Sequence, residues 1–133
     1  VIEFNFMYFK KVVLVGSDIP LLLAKDILKA TKINSSKNIF YPTVDGGFCL
    51  LATTDKNISN IIDTVKYGTN TALSDLTKKT SEQLIHNKFY QDIDVKEDLI
   101  QIFNFLKKNN TNLNINQKRL LVLLHSNHKK IIK

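Results

Sequence analysis

Apolar residues in the first half of the chain fall into short continuous runs, and in the second half they recur at helical spacing. Val12-Val13-Leu14-Val15 is a run of β-branched and aliphatic residues that predicts a strand buried on both faces, as a central parallel strand would be. Gly16 then frees the backbone for a turn, and Pro20 suits the first turn of a following helix. That helix is expected over Leu21 to Lys32, with Leu23, Ile27 and Ala30 inward and Lys25, Lys29 and Lys32 outward. Asn34-Ser35-Ser36 ends it. Strands are expected at Asn38 to Tyr41 and Phe48 to Ala52, around the turn Pro42-Thr43-Val44-Asp45-Gly46-Gly47.

Ile58, Ile61, Ile62 and Val65 mark a short amphipathic helix by their i, i+3, i+4, i+7 spacing, and a second helix carries Leu73 and Leu76 to about Gln83. Leu84 to Ile93 alternates and reads as a strand ending in Asp92-Ile93-Asp94. The next helix is well marked by Leu99, Ile102, Phe103 and Leu106. Lys107 to Asn116 is a linker by composition, and Leu120 to Leu124 suits one last short helix. Strands alternating with helices predict an α/β fold, a three-layer sandwich on a mostly parallel sheet.

Composition narrows the class without naming it. The 133 residues suit one domain, and 44% hydrophobic with 23% charged residues is globular usage. The lone Cys49, inside an apolar run, excludes an internal disulfide framework and reads as a small buried hydrophobe. No apolar run approaches the roughly 20 residues of a membrane span. Val1 to Phe9 lacks the basic start and small-residue cleavage site of a signal peptide, so a cytoplasmic location is expected. The segment Val1 to Lys10 either leads into the first strand or lies outside the domain, with Met7 an alternative start.

The net charge of +7 belongs to one end. Every acidic residue lies at or before Asp98, whereas Lys107, Lys108, Lys118, Arg119, Lys129, Lys130 and Lys133 follow it. This divides the chain into a body over 1–108 and a basic extension over 109–133. Without interleaved aromatics, such an extension is a solvated tail before it is a nucleic-acid contact.

The candidate chemistry is carboxylate chemistry. Asp18 stands alone at the carboxyl end of the first strand, the edge where ligands bind in open α/β sheets, although on this stretch alone a cap on the next helix is the favoured explanation. Asp94-Val95-Lys96-Glu97 has the form of a capping box, so Asp94 has a structural explanation; Asp92, two residues back on the same side of its strand, has none. Carboxylates converging on one sheet edge are what magnesium or manganese requires, with substrate phosphates completing its shell. Ser17 has no histidine placed to activate it, and His86, His125 and His128 form no site.

Three groups of residues occur together and in order: Val13-Leu14-Val15-Gly16-Ser17-Asp18-Ile19-Pro20, then Tyr41-Pro42 with Asp45-Gly46-Gly47-Phe48, then Asp92-Ile93-Asp94 with Glu97-Asp98-Leu99. In this the chain resembles the glycosyltransferase-A-like superfamily of nucleotide-diphospho-sugar transferases over roughly Lys11 to Leu106. Within it, the chain is most similar to the bacterial glycosyltransferase-like branch often encoded beside radical-SAM and selenoprotein genes. The resemblance implies that Asp18 and Asp94 are metal positions, with Asp92 the alternate. It implies that Ser17, Pro20, Asp45, Gly46, Gly47 and Thr69 lie on the substrate side. Tyr67-Gly68-Thr69 stands where that branch usually carries Trp-Ser-Thr, so only the threonine agrees. Nothing in Val1 to Lys11 resembles the glycine-rich and basic nucleotide loop that opens such domains, so the chain matches the C-terminal half to two-thirds of one.

The resemblance therefore implies a metal-dependent transferase of a nucleotide-activated substrate, by glycosyl or nucleotidyl transfer, with Mg2+ or Mn2+ as cofactor. Its partners would be a nucleotide or nucleotide-sugar and an acceptor. Two other readings stay open: a non-catalytic binding module of the same fold, in which an uncovered sheet edge favours a homodimer, and polyanion binding through the basic tail.

Overall fold

The computed structural model describes residues 2–33 and 37–127, apart from the side chain of Phe4. The expected stop at Asn34-Ser35-Ser36 and the tail from His128 onward lie outside the described residues. The elements in chain order are α1 (Ile2–Phe6), β1 (Val12–Val15), α2 (Ala24–Lys32), β2 (Asn38–Pro42), β3 (Phe48–Thr53), α3 (Ile58–Ile62), α4 (Ala72–Lys79), β4 (Gln83–Ile85), α5 (Lys96–Lys108) and α6 (Ile115–Ser126). They fall into two units, one of residues 1–17 and 22–90, the other of residues 18–21 and 91–133.

The first unit is built on a four-stranded sheet of order β1-β3-β2-β4. β1 and β2 each pair antiparallel with β3, and β2 pairs parallel with β4. The expected mostly parallel sheet is therefore corrected: the sheet is mixed, and most of its pairing is antiparallel. The cause is one strand. The connection Thr43 to Gly47 is too short for a crossover, so β3 must return as a hairpin beside β2. It lies between β1 and β2, which run in the same direction through the α2 crossover without touching as neighbours.

β1 is also not central. It stands at the edge of the described sheet, with Val12 buried and Val15 exposed. The buried strands are β2 and β3, which have a neighbour on each side and helices packed over them. Phe40 and Leu51 join Val12, Ile58, Val65, Leu73 and Leu76 in one core, to which Ile2 and Phe6 of α1 also belong, so the aromatic N-terminal segment is part of this unit. Between β2 and β3, buried Thr53 donates to the side-chain oxygen of buried Asn38, so this polar pair satisfies itself inside the core. Cys49 is buried as expected.

One expected strand is shorter than its pattern. β4 covers only Gln83–Ile85, and beyond it a single bridge joins Thr43 to Tyr90. Asp92 and Asp94 consequently lie in an irregular segment rather than at a strand end.

The second unit is a helical pair. Ile102, Phe103 and Leu106 of α5 pack against Leu113 and Leu124, with Leu21, Ile93, Leu99, Leu120 and Leu121 around them. The polar stretch after Lys108 holds a short 3-10 turn at Asn110–Asn112, and Asn114 then caps α6 by accepting from the Gln117 N–H. α6 thus starts five residues before the expected Leu120. The leucines mark only its apolar part, whereas the Asn-x-x-Gln capping box ahead of them sets its start. Among the described residues no helix is long and apolar enough to cross a membrane.

Candidate functional site

In the second unit the structure brings the Asp18 segment to Asp92-Ile93-Asp94. The backbone N–H of Ile93 donates to the carbonyl oxygen of Asp18 at 3.2 Å. The side chain of Gln117 reaches the carbonyl oxygen of Pro20 at 3.3 Å, so α6 holds the same segment from its far end. Ile19, between these two anchors, is buried. A short loop is thus fixed by backbone and core contacts while Asp18 itself stays exposed.

Asp18 does not cap the following helix. α2 begins at Ala24, and the Asp26 carboxylate accepts from the Leu23 N–H at its start. Pro20 accordingly sits in a turn ahead of α2 and not in its first turn, which corrects the expectation from sequence. The helix begins later because three consecutive leucines follow Pro20, and Leu21 turns toward the α5 and α6 core instead of joining α2.

Asp94 is likewise not the cap of its helix. Val95 is the N-cap of α5, and Asp98 accepts from both the Asp94 and the Val95 N–H at 3.1 Å. Asp98 also accepts from the Gln91 side chain at 3.0 Å, so one carboxylate ties down both ends of the 91–95 segment. The Asp-x-x-Glu signature places this box one residue early. Its true signal is Asp98, an acid three residues after the last non-helical position.

With Asp98 doing the capping, the carboxylates of Asp92 and Asp94 approach each other, each with an oxygen within 4.8 Å of the other's. Asp94 is exposed and Asp92 half-buried. Two carboxylates at this separation suit one hard, oxygen-seeking cation, which accepts carboxylate and carbonyl oxygens alike. The residues fit such an ion. Asp18 is brought beside this pair through its backbone carbonyl; its carboxylate is not part of the close group.

The first unit carries the other candidates. Asp45 shapes its own turn, one carboxylate oxygen accepting from the Thr43 hydroxyl at 2.5 Å and from the Gly47 N–H at 3.0 Å. Gly46 has φ +92, and its carbonyl accepts from the Leu73 N–H at 3.0 Å. The Thr69 carbonyl accepts from the Ala72 N–H, and its hydroxyl donates to the Lys66 carbonyl. The Asp45-Gly46-Gly47 turn and the Thr69 to Leu73 segment are therefore joined. Asn70, whose backbone packs directly on Gly46, belongs to this group although no sequence pattern marks it. Ser17, exposed, closes this unit at the end of β1.

Behind that turn, Tyr41 and Tyr90 stack with ring centroids 5.8 Å apart, and His86 lies 4.3 Å from Tyr41. The Tyr41 hydroxyl donates to the Asp26 carbonyl. Burial, and then the Asp26 carboxylate, push both phenols above the ordinary tyrosine range. The Tyr90 hydroxyl is buried near Asp26 but outside hydrogen-bond geometry.

Comparison with known proteins agrees with this architecture. Residues 5–69 match the model of a family described as uncharacterized proteins conserved in bacteria (DUF2064). The crystal structure of a presumed nucleotide-diphospho-sugar transferase from Desulfovibrio desulfuricans G20 is similar at a TM-score of 0.73 and 23% identity, over 96% of this chain. The chain covers 55% of that protein, little more than half its length. No curated protein sequence matches the chain. The described fold is thus similar to that of this crystal structure over the part of it that the chain spans.

Proposed function

We propose that the chain contributes the cation-binding and acceptor-facing parts of a transferase acting on a nucleotide-activated substrate, by glycosyl or nucleotidyl transfer. The observation that carries this reading is the hydrogen bond from Ile93 to Asp18, which sets the loop after β1 beside the paired carboxylates of Asp92 and Asp94. Both segments are held by side chains from the helices of the same unit, Gln117 of α6 on one and Asp98 of α5 on the other. Such anchoring is what a metal site requires, since ligand positions must be held before the ion arrives.

In this reading Asp94 and Asp92 hold Mg2+ or Mn2+, and Asp18, beside them on the loop after β1, adds negative charge to the site. The ion would neutralise the diphosphate charge that builds on the leaving group. Asp98 fixes the backbone that carries Asp94. The Asp45-Gly46-Gly47 turn, with Thr69 behind it, faces the acceptor, and the absence of side chains at Gly46 and Gly47 lets a ligand approach the backbone closely. Ser17 and Pro20 are the other substrate-side positions that the resemblance implies.

A second reading is a non-catalytic binding module of the same fold, in which the paired carboxylates take up a cation without nucleotide chemistry.

A thermal-shift panel of nucleoside triphosphates and nucleotide-sugars, with and without manganese, separates the two. Stabilisation by one nucleotide class only when metal is present, and lost in Asp94→Asn, is the result expected of the transferase. Stabilisation by metal alone, with no nucleotide effect, supports the binding module. No response to metal contradicts the cation site.

A further inference from the structure

The loop that leaves β4 is held by the ring of one histidine. The backbone N–H of His86 donates to the Phe40 carbonyl at 2.8 Å, which fixes this residue beside β2. Its half-buried imidazole lies on Tyr41, with ring centroids 4.3 Å apart. Nδ1 of that ring accepts from the Lys88 N–H at 3.1 Å. A neutral imidazole carries one proton, so with Nδ1 accepting, the proton is on Nε2. At Tyr90 the chain rejoins the sheet. Its N–H donates to the Pro42 carbonyl, and its own carbonyl accepts from the Val44 N–H, directly before the Asp45-Gly46-Gly47 turn. The Lys88 ammonium lies over the Tyr90 ring, 4.3 Å from its centroid. Residues 87–89 are thus strung between that turn and the His86 ring.

We infer that His86 is a pH-sensitive latch on residues 87–89, closed when the imidazole is neutral and open when it is protonated. Histidine is the side chain whose charge changes between about pH 5 and 8. Protonation places a hydrogen on Nδ1, so two donors face each other where a hydrogen bond stood. The titratable and charged groups around the ring decide which partner moves. Tyr41 of β2 presents its ring face, and the Asp26 carboxylate of α2 lies behind the Tyr41 and Tyr90 phenols; both attract an imidazolium. The Cys49 thiol of β3 is turned to the Tyr41 carbonyl. Lys88, on the same aromatic stack, repels a second cation. The charged ring therefore stays on Tyr41, and the backbone at Lys88 gives way. That this opens access for an acceptor rests on the transferase reading, in which the adjoining Asp45-Gly46-Gly47 turn faces the acceptor; the latch itself does not depend on it.

The test is nuclear magnetic resonance of the full chain at about pH 7.5 and about pH 5.5, either side of the range in which histidine changes charge. At the higher pH the nitrogen shifts of His86 are expected to report the Nε2-protonated tautomer. At the lower pH the Lys88 amide is expected to exchange about five-fold faster, after correction for the intrinsic pH dependence of exchange, as loss of one hydrogen bond implies. His86→Asn, whose side-chain oxygen accepts but does not titrate, is expected to show the same corrected exchange at both values. His86→Phe keeps a ring on Tyr41 without an acceptor and is expected to exchange fast at both. An Nδ1-protonated tautomer at the higher pH, a Lys88 amide indifferent to pH, an equal rise in His86→Asn, or slow exchange in His86→Phe overturns the inference. These readouts involve neither metal nor nucleotide, so failure of the latch and failure of the cation site are distinguishable.

Discussion

A Cβ added to Gly46 would stand 2.1 Å from the carbonyl oxygen of Asn70. The contact is with backbone, so no side-chain rotation relieves it. It adds to the cost of φ +92, a conformation L side chains rarely adopt. Gly46→Ala should therefore lower unfolding stability by about 3 kcal/mol or more, read from urea denaturation. Gly68 is the internal control. Its φ is +71, yet nothing lies within 4 Å of where a Cβ would stand, so Gly68→Ala should cost only about 1–2 kcal/mol. Equal losses at the two glycines would show that the Gly46–Asn70 contact does not matter.

Asp98 accepts from the Asp94 and Val95 N–H groups and from the Gln91 side chain. Asp98→Ala should destabilise the chain by about 1–2 kcal/mol, as loss of a helix-capping side chain does. It should also raise amide hydrogen exchange at positions 94 and 95 ahead of the rest of α5. Unchanged exchange at both amides would remove Asp98 from its anchoring role.

The two buried tyrosines make an alkaline prediction. Their folded-state pKa values lie above the ordinary value of 10.0, so folding favours the protonated phenol. This contribution is fully present below the unfolded value and is lost as pH rises through the folded values. Tyr90→Phe should make that alkaline loss shallower. At neutral pH it should leave stability unchanged or slightly higher, because the deleted hydroxyl is buried without a hydrogen-bond partner. A loss of more than about 1 kcal/mol at neutral pH would mean the hydroxyl is bonded after all.

Helices α3 and α5 and the inner strands β2 and β3 are legible in the sequence because burial there follows local patterning: Ile58 to Val65 and Leu99 to Leu106 read correctly from spacing alone, whereas α1 carries no such signal. Pairing is not legible. The run Val12–Val15 has the composition of a central strand but occupies an edge of the described sheet, since the hairpin return of β3 takes the place beside β2. Composition reports that a strand is apolar, not which strand lies beside it. At the candidate site, the types and positions of Asp18, Asp92 and Asp94 are visible in the sequence, whereas their anchoring is not. Asp18 has the look of a cap because it precedes a helix, and only the three-dimensional path shows Asp26 in that role. Gln117 lies far along the chain from Pro20, and no local pattern predicts that contact.

If the loop after β1 and the Asp92-Ile93-Asp94 segment form one cation site, manganese should bind there and nowhere else of comparable strength. Calorimetric titration of manganese into the unmodified chain, Asp18→Asn and Asp94→Asn measures this. Saturable binding to the unmodified chain is expected, lost in Asp94→Asn and weakened in Asp18→Asn, with thermal unfolding of the metal-free proteins little changed. Binding of equal strength in all three, or none in the unmodified chain, would contradict the site.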